Sequence, residues 1–141
     1  GFGGSGRILQ VETINVDATT TVNSTSLVDT SLTDTITPAA TGSKILLMYG
    51  WESKLNNEEG YGTAIKRAIS GGSTTVVAEQ EQYNYWLQGA SGIELRWFPM
   101  ICYVDSPSTT SEITYTIQVK GNNTNTIEWV AKRMILMEIG A

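Results

Sequence analysis

The sequence predicts an all-β fold: an antiparallel β-sandwich, jelly-roll-like, with about eight to ten short strands. Three observations lead to this prediction. Helix-favouring runs are nearly absent, while Thr, Ser, Asn and Gly are frequent, as is typical of strands and turns. Apolar and polar residues alternate in several segments, which is the period of a half-buried strand. Turn-forming residues recur roughly every ten positions, a spacing typical of antiparallel sandwiches.

Length and composition are those of a globular domain. The 141 residues fit one domain, and an apolar fraction of 40% is sufficient for a core. Residues 1–6 read GFGGSG, which we interpret as a linker, or a scar, that joins the domain to something upstream. We therefore expect a single β-sandwich domain over residues 7–141.

The first two strands are expected over residues 7–16 and 26–37. The alternation of the first breaks near Thr13, so we expect a β-bulge there. The second ends before Pro38, because proline lacks an amide donor and forces the preceding residue into an extended conformation. Further along, residues 64–70 and 73–80 flank Gly71-Gly72. This dipeptide predicts a tight hairpin, since glycine accepts a positive φ.

The clearest strand pattern lies in residues 103–119, which we interpret as a strand, a tight turn and a second strand forming a hairpin. Ser106-Pro107 supplies the turn. From Ile113 to Val119 apolar and polar residues alternate strictly. Two final strands are expected over residues 126–130 and 133–139.

Three predicted strands are apolar on both faces. They cover residues 43–51, the second half of a long strand over 93–104, and 134–139. Such strands need cover on each side, so each either lies in the middle of a sheet or packs on another subunit. We therefore expect a homo-oligomer with closed cyclic symmetry.

Charge and hydropathy exclude some partners. The net charge is −5 and the nine basic residues are scattered, so we expect no nucleic-acid partner, which would require a clustered basic patch. No apolar run approaches the ~18 residues of a membrane helix, so we expect no membrane insertion. Cys102 is the only cysteine. Its apolar neighbours predict a buried small hydrophobe, and one cysteine forms no intrachain disulfide.

The search for catalytic groups is mostly negative. The chain has no His, which excludes His-based acid–base chemistry, Ser-His-Asp triads and His metal sites. Carboxylate pairs for glycoside hydrolysis could come only from a few acidic residues in polar stretches, namely Glu52, Glu58, Glu59, Glu79 and Glu81. Solvated charge is the simpler interpretation of these residues. We expect no enzyme, no cofactor and no metal.

An aromatic cluster is the better candidate for a binding site. Aromatic rings and amides concentrate between residues 51 and 92, and aromatic faces beside amide groups suit sugars or protein surfaces. Trp51 and Trp97 could equally be core or interface residues. The predicted ligand-binding residues are Trp51, Tyr61, Tyr83, Asn84, Tyr85 and Trp86.

Several blocks of the sequence resemble a domain found in bacteriophage tail-fibre and related virion proteins, especially of marine phages. The blocks are residues 6–11 (GRILQV), 25–38 (TSLVDTSLTDTITP), 42–47 (GSKILL), 103–118 (YVDSPSTTSEITYTIQ) and 135–141 (ILMEIGA). They lie in the same order and cover nearly the whole chain. The region from 51 to 92 departs most from the family.

The resemblance implies a β-sandwich at the virion surface, usually trimeric, on a fibre, spike or capsid. Two function classes remain open. The first is host attachment by a fibre-tip or spike domain that binds a surface glycan or protein. The second is a structural role, in which a decoration, cementing or filament-building domain contacts other virion proteins. An unrelated carbohydrate-binding module is a third, more distant alternative.

Overall fold

Two antiparallel β-sheets pack face to face around a shared apolar core. The computed structural model of the chain describes residues 6–55, 60–80 and 95–141. None of these residues is helical. Within them lie ten strands: β1 (Ile8–Val16), β2 (Thr20–Val22), β3 (Val28–Ile36), β4 (Lys44–Leu55), β5 (Tyr61–Ile69), β6 (Thr74–Gln80), β7 (Leu95–Trp97), β8 (Met100–Asp105), β9 (Ile113–Gly121) and β10 (Ile127–Ile139).

The strand order is that of a jelly roll. In sheet A, β1 and the short β2 pair with one edge of β10, β10 pairs with β4, and β7 and β8 pair with the far edge of β4. In sheet B the order is β3, β9, β5, β6. All of these pairings are antiparallel. Two such sheets, fed by connections that cross between them, form the jelly-roll sandwich that the sequence predicts.

Strand β9 and the hairpin of β5 and β6 follow the sequence prediction closely. The inward residues of β9 are almost fully buried: Ile113, Tyr115, Ile117 and Val119. Strands β5 and β6 pair across a short turn. In that turn Gly71 has a φ of +70°, and the amide of Gly72 donates to the carbonyl of Ile69 over 2.9 Å. A residue with a side chain would be strained at this φ, which explains the glycine.

The hairpin expected over residues 103–119 is wrong. Strand β8 pairs with β4 in sheet A, whereas β9 pairs with β3 and β5 in sheet B. Residues 106–112 therefore carry the chain from one sheet to the other. The Ser106-Pro107 signal marks a chain reversal correctly, but a local signal does not specify the sheet that the next strand joins.

Bulges and breaks also differ from the expectation. The irregularity of β1 lies between Ile8 and Gln10, not near Thr13. The two predicted C-terminal strands are one strand, β10, with an irregularity between Val130 and Arg133. Conversely, the long strand predicted over residues 93–104 is broken before Met100 into β7 and β8. The short strand β2 is not predicted by the sequence.

At the irregularity in β10, the side chain of Lys132 points into the interior of the sandwich. Ala131 there has a φ of +48°, and both Trp129 and Lys132 are fully buried. The Lys132 ammonium donates to the main-chain carbonyls of Ala18 and Trp129. Burial lowers the pKa of Lys132, and the charge of Asp17 opposes that shift. The lysine thereby attaches the link between β1 and β2 to the centre of sheet A.

A buried polar cluster joins the two sheets at the end of β8. Asp105, on β8 of sheet A, is 5% exposed. Its Oδ2 lies 2.8 Å from a terminal nitrogen of Arg67 on β5 and accepts a 2.7 Å hydrogen bond from the Tyr115 hydroxyl on β9. Burial raises the pKa of Tyr115, and the bond to the carboxylate raises it further. Asp105 therefore connects sheet A to two strands of sheet B.

A second buried carboxylate holds the connection between β3 and β4. Glu138, on β10, is 1% exposed. Its oxygens accept 2.7 Å hydrogen bonds from Gln10 Nε2 on β1 and from the main-chain amide of Ala39. Burial alone would raise the pKa of Glu138, but hydrogen bonds to the ionised form outweigh burial, so the pKa lies below its usual 4.5.

Replacing Asp105 with Ala should destabilise the domain strongly. The substitution leaves the Arg67 charge and the Tyr115 hydroxyl without their partner in the interior, so we expect a loss of about 3–5 kcal/mol in the free energy of unfolding. Urea unfolding followed by tryptophan fluorescence measures this. The matched control is Asp29→Ala, which removes an ion pair with Lys66 on the outside of sheet B and should cost about 0–1 kcal/mol. Equal losses would contradict the bridging role.

Glu138 should make the domain sensitive to acid. The pKa of Glu138 in the folded domain lies below its usual value of 4.5. The contribution of Glu138 to the free energy of unfolding is therefore complete above pH 4.5 and is lost as the pH falls through the folded pKa. Glu138→Gln removes this titration, so its stability should fall less steeply than that of the parent as pH decreases below 4.5. Urea unfolding at successive pH values measures the slope. Asp29→Asn, at a half-exposed carboxylate, should reduce the pH dependence of stability less than Glu138→Gln does.

Candidate functional site

The structure separates the predicted ligand-binding residues into two groups. Tyr83, Asn84, Tyr85 and Trp86 lie outside the described residues, between the end of β6 and the start of β7. Trp51 and Tyr61 are described, and both are fully buried. The side chain of Trp97 also lies outside the described part.

Trp51 and Tyr61 belong to an aromatic cluster inside the sandwich. Trp51 stacks on Trp129 with a 4.1 Å centroid distance, and Tyr49 also stacks on Trp51 at 5.8 Å. Tyr61, from sheet B, meets both indoles edge-on at 5.8 and 5.5 Å. Its hydroxyl lies 3.3 Å from Ser53 Oγ, and burial raises its pKa. The two residues are therefore core residues, which is the alternative left open above for Trp51.

The outer face of sheet A is apolar across four strands. Directly opposite residues on paired strands share a face, so the register defines rows of neighbours. One row runs from β1 to β8 through Val11, Met137, Leu46 and Val104. The next row runs through Thr13, Ile135, Met48 and Cys102. Val11 is 45% and Val104 50% exposed, so this face meets solvent in the free chain.

Neighbouring apolar side chains extend this face at its margins. Ile8 stands opposite Ile139 at one end and is 59% exposed. At the other end Phe98 and Met100 are 51% and 57% exposed. Of the large apolar side chains that are exposed in the described residues, all but Val76 belong to strands β1 and β8 or to the link before β8.

Gly50 allows the link before β8 to pack closely against β4. It lies on β4 opposite Met100. A Cβ at this position would come within 2.6 Å of the carbonyl oxygen of Pro99 and 2.3 Å of the Met100 sulfur. Only a residue without a side chain allows the link before β8 to cross β4 at this distance.

The outer face of sheet B is polar instead. Lys120 on β9 pairs with Glu79 on β6 at 2.6 Å. Asp29 on β3 pairs with Lys66 on β5 and accepts a 2.8 Å hydrogen bond from Gln118 on β9. The bond to Lys66 is the main cause that lowers the pKa of Asp29. A network of ion pairs and amides is the arrangement of a sheet face that remains in water.

Cys102 is exposed, so the expectation of a buried thiol is wrong. It stands on the outer face of sheet A beside Met48, its partner across the β4–β8 pairing. Its apolar neighbours in sequence reflect a strand that is apolar on both faces, and that pattern does not show which face is covered. Sequence reasoning likewise did not identify the apolar outer residues of β1, although Leu9 and Val11 were visible there.

Residues 6–55, 60–80 and 95–141 contain no group of three or more His, Cys, Asp or Glu side chains that could hold a metal ion. Nor do these ranges contain a helix that is long and apolar enough to cross a membrane.

Comparison with known proteins shows a likeness of fold. No protein-family model and no curated protein sequence matches the chain. Among solved structures, the VP2 subviral particle of infectious bursal disease virus matches with a TM-score of 0.58 and 16% identity, over 96% of this chain and 33% of that one. T=1 particles derived from infectious bursal virus match with a TM-score of 0.59 and 12% identity, over 94% and 32%.

The present chain thus spans about a third of the length of these viral chains. At such identities the likeness shows the jelly-roll fold alone. A weaker likeness is to TmCBM61, solved in complex with β-1,4-galactotriose, with a TM-score of 0.42 and 17% identity over 89% of this chain and 86% of that one.

Proposed function

We propose that this chain is a non-enzymatic virion domain of a bacteriophage, which assembles as a homo-oligomer and attaches the particle to the host surface. The proposal rests on the contrast between the two outer faces. The outer face of sheet B carries ion pairs, as is typical of a face in water, whereas the outer face of sheet A is apolar, as is typical of an interface with another protein. The jelly-roll strand order agrees with a virion role, since the fold recurs in viral coat domains. The sequence blocks that resemble phage tail-fibre domains support the phage origin.

The occupant of the outer face of sheet A is a second copy of the same chain. Val11 and Val104 are about half exposed at opposite edges of the face, with Met137 and Leu46 between them. In a trimer, each copy turns this face toward the threefold axis and the ion-paired face of sheet B toward solvent. This arrangement covers apolar surface that a monomer would leave in water.

Val104→Lys should break the oligomer. The substitution places an ammonium group inside the proposed interface, where no carboxylate of the described rows faces it, so association should weaken by about tenfold or more. Light scattering at micromolar concentration measures the mass. The matched control is Val76→Lys, at a valine that is 45% exposed on edge strand β6 of sheet B, and it should leave the mass unchanged.

Cys102 gives an independent readout of the same interface. Its thiol should react slowly with a maleimide in the oligomer and rapidly in the Val104→Lys variant. A parent chain that is monomeric at micromolar concentration, with a freely reactive thiol, would contradict the assembly proposal.

Attachment is assigned to Tyr83, Asn84, Tyr85 and Trp86. In the sequence they begin three positions after Gln80, the last residue of β6, which is the edge strand of sheet B. Aromatic rings next to an amide suit the apolar faces and hydroxyls of a glycan, or the centre of a protein interface. Trp51 and Tyr61 are left out of the proposed site because their side chains are fully buried and packed against each other and Trp129 in the aromatic cluster of the core.

Tyr85→Ala combined with Trp86→Ala should reduce attachment without unfolding the domain. Loss of two aromatic anchors should weaken binding to host cells by about tenfold or more. Binding of fluorescently labelled domain to cells, with soluble glycans as competitors, measures this, and thermal unfolding checks the fold. Thr35→Ala, at an exposed threonine of β3, is the control. Unchanged binding of the double variant would remove this segment from the site.

A structural virion role is the second candidate. It is favoured by the likeness to chains whose structures were solved as subviral and T=1 particles. In that role the outer face of sheet A docks on another virion protein, or on copies of itself in a coat or filament. A domain that assembles but binds no host cell would favour this second function.

A further inference from the structure

A pocket opens between the two sheets at the edge where β6 and β8 lie opposite each other. Its volume is about 380 Å³, within the ~300–1,000 Å³ typical of small-molecule sites. The wall from sheet A contains Tyr49 and its cross-strand partner Ile101. The wall from sheet B is formed by two cross-strand pairs, Thr63 with Gln80 and Ile65 with Ala78.

Two hydroxyl groups form the floor of this pocket. Tyr49 is 2% and Thr63 1% exposed, and their oxygens lie 3.5 Å apart. A separation of 3.5 Å is at the long limit of a hydrogen bond, so both hydroxyls retain capacity to donate and accept. Burial raises the pKa of Tyr49, although the bond to Thr63 opposes that shift, and its hydroxyl stays protonated. A packed core would favour Phe and Val at these positions.

The walls are apolar and the rim is mixed, with Glu79 and Gln80 on the β6 side and the exposed Met100 and Cys102 on the β8 side. Ile65 is buried, whereas Ile101 and Ala78 are half-buried along the sides. Gln80 is exposed at the mouth. Glu79 is the one charged residue among the described lining residues, and Lys120 neutralises it at 2.6 Å. The Tyr103 hydroxyl donates to the Val77 carbonyl over 2.9 Å and connects β8 to β6.

We propose that this pocket binds one neutral pyranose ring, the terminal unit of a surface glycan. The CH-rich faces of the ring contact Ile65 and Ile101, while its hydroxyls bond Tyr49 and Thr63 at the floor and the Gln80 amide at the mouth. A purely apolar ligand would leave the remaining hydrogen-bonding capacity of the two floor hydroxyls desolvated and unused. An acidic sugar would meet Glu79 and no cation among the described lining residues.

The inference rests on the proposed attachment function, because it names the ligand class and a second point of contact in addition to Tyr85 and Trp86. Its test does not depend on host cells. The probes are the methyl glycosides of glucose, galactose and N-acetylglucosamine, titrated into the purified chain and followed by saturation-transfer NMR.

At least one of these glycosides should bind the parent chain. Thr63→Val keeps the shape of the side chain but removes a floor hydroxyl, so the dissociation constant should rise roughly two- to tenfold. Gln80→Ala, at an exposed position, should give a similar increase and tests the mouth even if Thr63→Val does not fold. The matched control is Thr33→Val, which removes a hydroxyl bonded to Thr116 Oγ1 at 2.9 Å on the other side of sheet B.

The outcomes separate the two proposals. Binding that Thr63→Val and Gln80→Ala weaken, and Thr33→Val leaves unchanged, supports the pocket. No glycoside binding, or binding that neither substitution in the pocket affects, overturns it, even where the domain still attaches to host cells. Glycoside binding without cell attachment would keep the pocket and contradict the attachment function.

Discussion

Hydrogen bonds of the strand ladders run within each sheet, so side chains alone hold the two layers of a sandwich together. This constraint explains where the chain places its least replaceable groups. At one place Tyr61 of sheet B meets the stacked Trp51 and Trp129 of sheet A edge-on. At another, Asp105 of sheet A is bonded to Arg67 and Tyr115 of sheet B. The aromatic contacts give bulk and shape, and the ionic contact fixes the position where the chain crosses between the sheets.

The inner faces are thus fixed by the fold, and the outer faces carry the differences that matter for function. Sheet B presents ion pairs such as Lys120 with Glu79, whereas sheet A presents Val11, Val104 and the exposed Cys102. Within residues 6–55, 60–80 and 95–141 no ladder joins β6 to β8, and the Tyr103 hydroxyl bonds across the gap between them where the pocket opens. In the functions proposed above, assembly uses the outer face of sheet A, and the pocket opens at the β8 edge of that sheet, where Met100 and Cys102 are among the lining residues.

The sequence predicted the fold class because strict alternation, as in β9, leaves one interpretation. It could not predict partners between strands: the turn at Ser106-Pro107 looks the same whether the next strand stays in its sheet or crosses to the other. Nor could the sequence separate core aromatic residues from binding aromatic residues. Trp51, which lies in the core, has the same kinds of sequence neighbours as a tryptophan in a binding loop would have. Cys102 was misplaced for a related reason, since an apolar strand does not reveal which of its faces a partner covers. The segment of Tyr83 to Trp86 stays a prediction.

The position of β10 has a consequence for how the domain is made. This strand is the last of the ten, yet it lies between β1, the first, and β4. While the ribosome is still translating the chain, both of those strands lack the neighbour that pairs with their edges. Sheet A therefore closes only after synthesis has passed residue 139, and its folding is dominated by contacts between distant parts of the chain, which form slowly. Nascent chains expose unpaired apolar edges during that interval, and such edges are where cellular chaperones act.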